Sequence, residues 1–270
     1  MAIVTISRGS YVGGIAVAEK LAAELQHPCA SREVVLEAAE DSGVDERDLL
    51  STLREPPRFW EKTPGRIPAH LNLVRAALLK RAQGGDLVYH GYAGHFLLSG
   101  IGHVLRARII AGPEKRIAAL MDDFNMSHKE AAAHLRKLDA QLSKWTRFLY
   151  GVDWQDPSLY DVVVNLDDIS VEGAVATLVE MTRLDDFQPT DASRKAFADL
   201  YLSSMVWAAL TKDPRTRAAN VRVSADDGSV LIMGVAPNTR VIGAIQEVAE
   251  KVEGVRALDN QVGVGAHWSW

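Results

Sequence analysis

The sequence predicts an α/β fold, a parallel sheet flanked by helices, followed by a small α+β unit. Three observations lead there. The chain opens with a short apolar strand, a glycine-bearing loop and an amphipathic helix. From there to residue 182, apolar runs of strand length alternate with stretches of helical period, the pattern of a parallel sheet. After Arg183 the order changes to a helix, two alternating strands about an Asp-Gly turn, a helix and a last strand.

Residues 2–6 are apolar and end at the glycine loop, so they read as a buried strand. Across 14–25, Val17, Ala18, Leu21, Ala22 and Leu25 recur at helical spacing. Residues 33–40 continue helically, and Pro56, Pro57, Pro64 and Pro68 break the next stretch into a mobile loop around Trp60. A helix over 71–81 is closed by Gly84-Gly85, and 87–90 and 103–110 are strands. Helices follow over 113–124 and 127–150, then a strand at 162–164 and a helix over 171–182 capped by Ser170. The polar run 185–191 reads as a linker. Beyond it come a helix at 193–210, alternating Val221, Val223 and Ala225, the Asp227-Gly228 turn, a strand at 230–235, a helix at 239–252 and a strand at 257–264.

Composition bounds the function. Charged residues make up 24% and hydrophobic ones 47%, the balance of an ordinary globular protein with a sizeable core. A net charge of −5 argues against an overall basic surface for nucleic acid, so no nucleic-acid partner is expected. The single cysteine, Cys29, excludes an internal disulfide and a cysteine-based zinc site; between Pro28 and Ala30 it reads as a buried apolar filler. No signal-peptide pattern and no apolar run of membrane-spanning length is visible, so a cytoplasmic protein is expected.

The opening loop resembles a phosphate-binding loop with its chemistry incomplete. That pattern needs two glycines five apart, then lysine and a hydroxyl residue. Gly9 and Gly14 have the spacing, but Ile15 and Ala16 follow, and shifting the frame by one puts Gly14 at the lysine position. Backbone amides at the helix start can still cradle an anion; a tight turn packing helix on strand is the alternative. The lysine charge and the magnesium-binding hydroxyl are absent.

Residues 1–184 resemble the cytidylate-kinase-like family, a branch of the nucleoside monophosphate kinases. The resemblance is carried by Ile3 to Arg8 with Gly13-Gly14, by Val88 to Gly94 with Leu97-Leu98, and by Arg108 to Ala111 with Glu114, Arg116 and Ile117. Ser127, Glu130-Ala131 and Asp139 continue it, and Tyr150 to Trp154, Pro157 to Asp161 and Asn165 complete it. It implies a P-loop kinase-like sheet, a nucleotide such as CMP or ATP as ligand, and ATP with Mg²⁺ as cofactors if the chain is active. In that branch Gly-Gly in place of Gly-Lys is usual. Two departures remain: Tyr92 and Leu142 stand where the family favours arginines, which would be expected to meet phosphate.

Residues 192–265 resemble the BON domain, leaving 185–191 as linker and 266–270 as a tail. The carriers are Ala209-Leu210, Asp213-Pro214, Val221 to Val223, Asp227 to Leu231, Gly234, Arg240, Val252 to Val255 and Asn260 to Val262. The resemblance implies a binding module whose ligand is a phospholipid, an ion or a protein.

These resemblances select candidates. Arg8, Gly9, Ser10, Gly13 and Gly14 would bind the nucleotide phosphates. Arg116 matches the arginine that starts the kinase lid, and Arg136 and Arg147 on the long helix can face the cleft. Asp139 would orient a basic partner such as Arg136 or align substrate. The alternative for each is a solvated or ion-paired surface charge. Arg106, Arg108, Lys115 and Arg116 form a basic cluster, with Arg106 and Arg108 on one strand face. His90, His95 and His103 have no ligand spacing and read as satisfied histidines; adjacent Asp122 and Asp123 point apart on a helix, so no metal site is expected. Trp60 either stacks a base or packs its loop, and Trp268 and Trp270 either anchor the tail or pack locally. Three functions stay open: a nucleotide-binding sensor or regulatory module coupled to the BON domain, an active CMP-type kinase, and a scaffold whose BON domain does the binding.

Overall fold

The structure, a computed structural model, describes residues 2–8, 13–54, 66–91 and 93–265. In chain order its elements begin with β1 (Ile3–Ser7), α1 (Gly13–Leu25), β2 (Cys29–Ala30), α2 (Glu33–Ser42), α3 (Glu46–Arg54) and α4 (Arg66–Arg81). Next come β3 (Leu87–His90), α5 (Gly94–Leu97), β4 (Val104–Ile110), α6 (Pro113–Phe124), α7 (His128–Tyr150), β5 (Val162–Asn165) and α8 (Val171–Thr182). The remainder is α9 (Asp191–Lys212), β6 (Asn220–Asp226), β7 (Ser229–Ala236), α10 (Thr239–Glu250) and β8 (Ala257–Val264). They divide into two compact units.

The first unit holds β1–β5 with α1 and α5–α8. Its five strands lie in the order β2-β3-β1-β4-β5, each pair parallel, the sheet of a P-loop kinase fold. A parallel sheet is covered on its faces and its central strands read as continuous apolar runs. Ile3, Val4 and Ile6 of β1 accordingly have almost no exposure. They pack with Val17 and Leu21 of α1, Leu105 of β4 and Leu178 of α8 into one core. The register sets Ile6 beside His90 and Ser7 beside Arg108, so the carboxyl ends of β1 and β3 meet at one level beside Arg108, and β4 continues past it to Ile110. Ligands bind at that edge of an open parallel sheet.

The second unit holds α2, α3 through Thr52, α4 and the chain from Asp191 onward. β6 and β7 form the expected hairpin, with Asp227 at φ 45° and Gly228 at φ 79° supplying the two left-handed residues its tight turn needs. β8 joins β7 in parallel after the α10 crossover. Val206, Ile232, Ile245 and Val262 lie in the core between this sheet and its helices.

Three expectations change. Pro68 does not interrupt a loop: it lies in the first turn of α4, where a missing N–H leaves no bond unmade. Cys29 is exposed rather than buried, because β2 is an edge strand whose alternate residue, Ala30, takes the inward position. The run 185–191 is not all irregular, since Asp185–Phe187 forms a 3-10 turn and Asp191 opens α9. The loop around Trp60, and Trp268 and Trp270, lie outside the described residues. No described helix is long and apolar enough to cross a membrane.

Candidate functional site

The junction of β1 and α1 is built around Arg8. The chain leaves β1 at Ser7, and α1 starts at Gly13 with no acidic residue in its first turn, so its positive dipole end is unopposed within the helix. Arg8 donates from Nε to Nδ1 of His90 across 3.3 Å. Its side-chain stem lies against Gly14: a Cβ at position 14 would stand 2.4 Å from the Arg8 Cβ. No side chain fits there without moving the arginine, so the shifted frame that would place a lysine at 14 is closed by Arg8 itself. Gly9, Ser10 and Tyr92 lie outside the described residues.

Beside Arg8 is a cavity of about 50 Å³, lined by Ser7 at the end of β1, Gly91 and Ala93 after β3, His95 and Phe96 of α5, and by Leu142, Trp145, Thr146 and Trp154. α5 is a single turn that starts after Ala93 at φ 61°, and Gly94 lets it sit on Tyr89, whose Cδ1 is 2.6 Å from where a Cβ would be. This turn carries His95 into the lining, with its ring 4.9 Å from that of Tyr160. Phe96 stacks on Tyr150 at 4.0 Å. The Nε2 of His95 and the indole Nε1 of Trp154 are buried with no hydrogen-bond partner among the described residues. Burial, then the positive charges of Arg106 and Arg108, push the His95 pKa down to about 4, so the ring is neutral at pH 7.

Arg108 supports this lining from β4. It is 8% exposed and belongs to no ion pair among the described residues. Its Nη1 donates to the Trp154 carbonyl at 3.1 Å, and its guanidinium carbon lies 4.4 Å from the Trp154 ring centre and 5.5 Å from that of Tyr160. Burial draws its pKa below the ordinary arginine range, and it remains a cation at neutral pH. The Tyr160 hydroxyl donates to the same carbonyl at 2.9 Å and lies 3.3 Å from Ser7 Oγ, tying the segment after α7 to the end of β1. Burial raises the Tyr160 pKa.

The other candidates are placed differently. Arg116 of α6 and Asp139 of α7 form a two-pronged pair, Nη1 to Oδ2 at 2.9 Å and Nη2 to Oδ1 at 2.7 Å, both largely shielded. Asp139 therefore orients Arg116, not Arg136. Arg136 is exposed and makes no ion pair among the described residues. Arg147 is exposed and bonds Asp153 at 2.8 Å; the Gln155 N–H and then this guanidinium hold the Asp153 carboxyl below its usual range. Of the basic cluster, Arg106 pairs with Asp161, and Arg108 is neither solvated nor ion-paired. His95 is likewise not a satisfied histidine.

The sequence reading missed His95, Arg108, Trp154 and Tyr160 as site residues. An arginine amid Ala107, Ile109 and Ile110 with its flanking positions apolar was the one available signal, and periodicity does not report its burial. The described residues suit a phosphate better than a metal. Arg8, Ser7 and the start of α1 supply positive charge and donors, whereas no group of three or more His, Cys, Asp or Glu side chains is positioned for a metal ion among them.

Comparison with known proteins agrees with this architecture. The family model described as the cytidylate kinase-like family matches residues 3–168, and that of the BON domain matches 198–266. No curated protein matches. Among solved structures, an uncharacterized protein from Eubacterium ventriosum ATCC 27560 is similar at 20% identity and TM-score 0.53, covering 67% of this chain and 97% of its own. A shikimate kinase from Bacteroides thetaiotaomicron is similar at 15% identity and TM-score 0.43, covering 68% and 99%. A dephospho-CoA kinase from Campylobacter jejuni follows at 12% identity and TM-score 0.36, covering 67% and 97%. At 20% identity the likeness to the Eubacterium ventriosum protein is one of fold. The family match spans more than half of the sequence, and with the strand order it settles the assignment: the chain belongs to the cytidylate kinase-like family and carries a BON domain after it.

Proposed function

We propose that this chain binds a nucleotide at the carboxyl edge of the five-stranded sheet and transfers phosphate weakly or not at all, acting as a regulatory module coupled to its BON domain. One observation carries the reading: the Arg8 stem occupies the space next to Gly14, so a lysine at position 14 would require Arg8 to move, and Arg8 is the cation beside the start of α1. Supporting it, two of the cations that could replace the missing ones, Arg116 and Arg147, are occupied. Arg116 is clamped by Asp139, Arg147 is turned to Asp153, and Leu142 presents an apolar wall to the cavity. Phosphoryl transfer depends on positive groups that gather on the transferring phosphoryl, and losing one costs orders of magnitude in rate. The phosphates would be held by Arg8, by amides of the loop and by the start of α1, with CMP and ATP as the ligands of choice and the cytoplasm as the setting. The BON domain would take a second ligand, a phospholipid, an ion or a protein.

Isothermal titration with ATP-Mg²⁺ and then CMP tests this. Saturable binding that Arg8→Ala weakens by roughly tenfold or more, without nucleotide-dependent ATP consumption, is the expected result. Steady ATP consumption on adding CMP would overturn it in favour of an active kinase, a reading that the cation of Arg8 beside His90 favours. In that enzyme Arg8 would take the lysine's place on the phosphates.

A further inference from the structure

Arg136 and Arg147, which the nucleotide site leaves unused, belong to a longer basic ridge on the outer side of α7. At about 100° per residue, Lys129, Arg136, Lys137, Lys144 and Arg147 fall within a sector of about 100°, opposite the buried Ala131, Leu135 and Trp145. All five cations are exposed. Lys129, Arg136, Lys137 and Lys144 make no ion pair among the described residues. Arg147 pairs with Asp153, yet 65% of its side chain stays open to water.

In a chain of net charge −5, residues 127–150 carry these five cations against two carboxylates. Neither carboxylate sits among them. Asp139 is turned to Arg116 of α6 through two hydrogen bonds, and Glu130 is held by Ser127 in the cap at the amino end. Asp122 and Asp123 precede the turn into α7 and are exposed, so the excess of positive charge is greatest over the carboxyl-terminal half. That half ends in Phe148, one turn beyond Lys144 and 57% exposed. A single exposed apolar residue is ordinary on a surface. Its place at the end of a row of cations is what gives it a partner.

An anionic bilayer answers both features, with head-group charge for the cations and hydrocarbon below for the ring. A straight helix meets a plane along a line, and Arg136 to Phe148 spans about 18 Å of it. The long stems of lysine and arginine let their charges reach past the helix surface to the head groups. A polyanion with no apolar interior, such as nucleic acid, would leave the phenylalanine in water.

We propose that the outer face of α7 from Arg136 to Phe148 is a contact surface for an anionic phospholipid bilayer. Arg136, Lys137 and Lys144 meet the head groups, and Phe148 enters the interface. The surface belongs to the first unit and acts whether or not the glycine loop holds a nucleotide.

The test is co-sedimentation of the full chain with vesicles of phosphatidylcholine alone and of a phosphatidylcholine–phosphatidylserine mixture. It is repeated with a Lys137→Gln, Lys144→Gln double variant and with Phe148→Ala. These side chains are exposed and the new residues are good helix formers, so the variants keep the fold, which far-UV circular dichroism checks. The full chain should bind the phosphatidylserine vesicles and not phosphatidylcholine alone. The lysine variant should bind about 25-fold more weakly, at about fivefold for each charge removed. Phe148→Ala should weaken binding by roughly tenfold or more. Added salt should weaken the full chain more steeply than the lysine variant. No binding of the full chain to phosphatidylserine vesicles would overturn the proposal. Binding that every variant retains would also overturn it, and would move the lipid contact to another face, the BON domain included. A loss in the lysine variant with none in Phe148→Ala would overturn the bilayer as occupant, and double-stranded DNA, titrated in parallel, would then test the ridge as a surface for polyanions.

Discussion

His95 is a residue whose protonation the fold resists. From the ordinary imidazole pKa of 6.5, burial and then the nearby Arg106 and Arg108 bring it down to about 4. The folded pKa lies below the unfolded one, so between these values the unfolded chain binds the extra proton. Stability from this group is therefore whole above pH 6.5 and declines as pH falls towards 4. A shift of this size corresponds to about 3 kcal/mol at the acid end. Urea unfolding at pH 7 and pH 4 should show wild type losing about that much more stability than His95→Asn. An equal loss in the two proteins would move the acid sensitivity elsewhere, with the carboxylates held low by hydrogen bonds, such as Asp153 and Asp156, as the alternative. The same environment explains Arg108: a cation in no ion pair among the described residues persists there because a carbonyl and two ring faces replace part of its hydration, while the charges of Asp153 and Asp139 favour it from further away.

At the scale of elements, the helix α7 shows what local sequence decides. Ser127 and Glu130 form a reciprocal cap, the Ser127 N–H donating to Glu130 at 2.9 Å while Ser127 Oγ accepts from the Glu130 N–H. Ser127→Ala should lower unfolding free energy by about 1 kcal/mol, read from the urea midpoint at constant slope, and no change would mean that α7 is held by α6 alone. Such caps and clean periods made most elements legible, from β1 through α8 and across the BON hairpin. What stayed hidden has local causes. β2 is two residues long, α5 is four, and α3 is nine. The site was legible only where one stretch of chain contains it, as at Arg8 and Gly14. Asp139 has Arg136 three residues before it on its own helix, yet bonds Arg116, twenty-three residues back on α6. Ile117 and Leu120 of α6 packing on Ala131 and Leu135 of α7 bring the two together, and sequence spacing carries no record of that.

At the scale of the molecule, the segment that joins β2 to β3 groups with the chain beyond Asp191 rather than with the sheet it interrupts. α4 explains why. Leu73, Val74, Ala76, Ala77, Leu78 and Leu79 are all buried, so the helix is apolar around its circumference and needs cover on more than one side. α2 supplies one side, with Arg81 bonding Glu37 through two oxygens at 2.6 and 2.8 Å. α9 supplies another, and the buried Asn72 amide donates to the Ser204 carbonyl at 3.0 Å. Uncovering two such leucines costs about 3–6 kcal/mol, comparable with the whole stability of a domain. A chain ending at Thr190 should therefore keep hydrogen-exchange protection in β1, β3 and β4 while the amides of α4 exchange as freely as an unfolded segment and become the first site of proteolysis. Protection of α4 that survives the truncation would mean that α2 alone buries it. Loss of protection in all the strands as well would mean that the sheet also depends on α9 for its stability. With α4 alone released, α9 acts as the structural support of the segment spliced between β2 and β3, and that segment folds as part of the second unit.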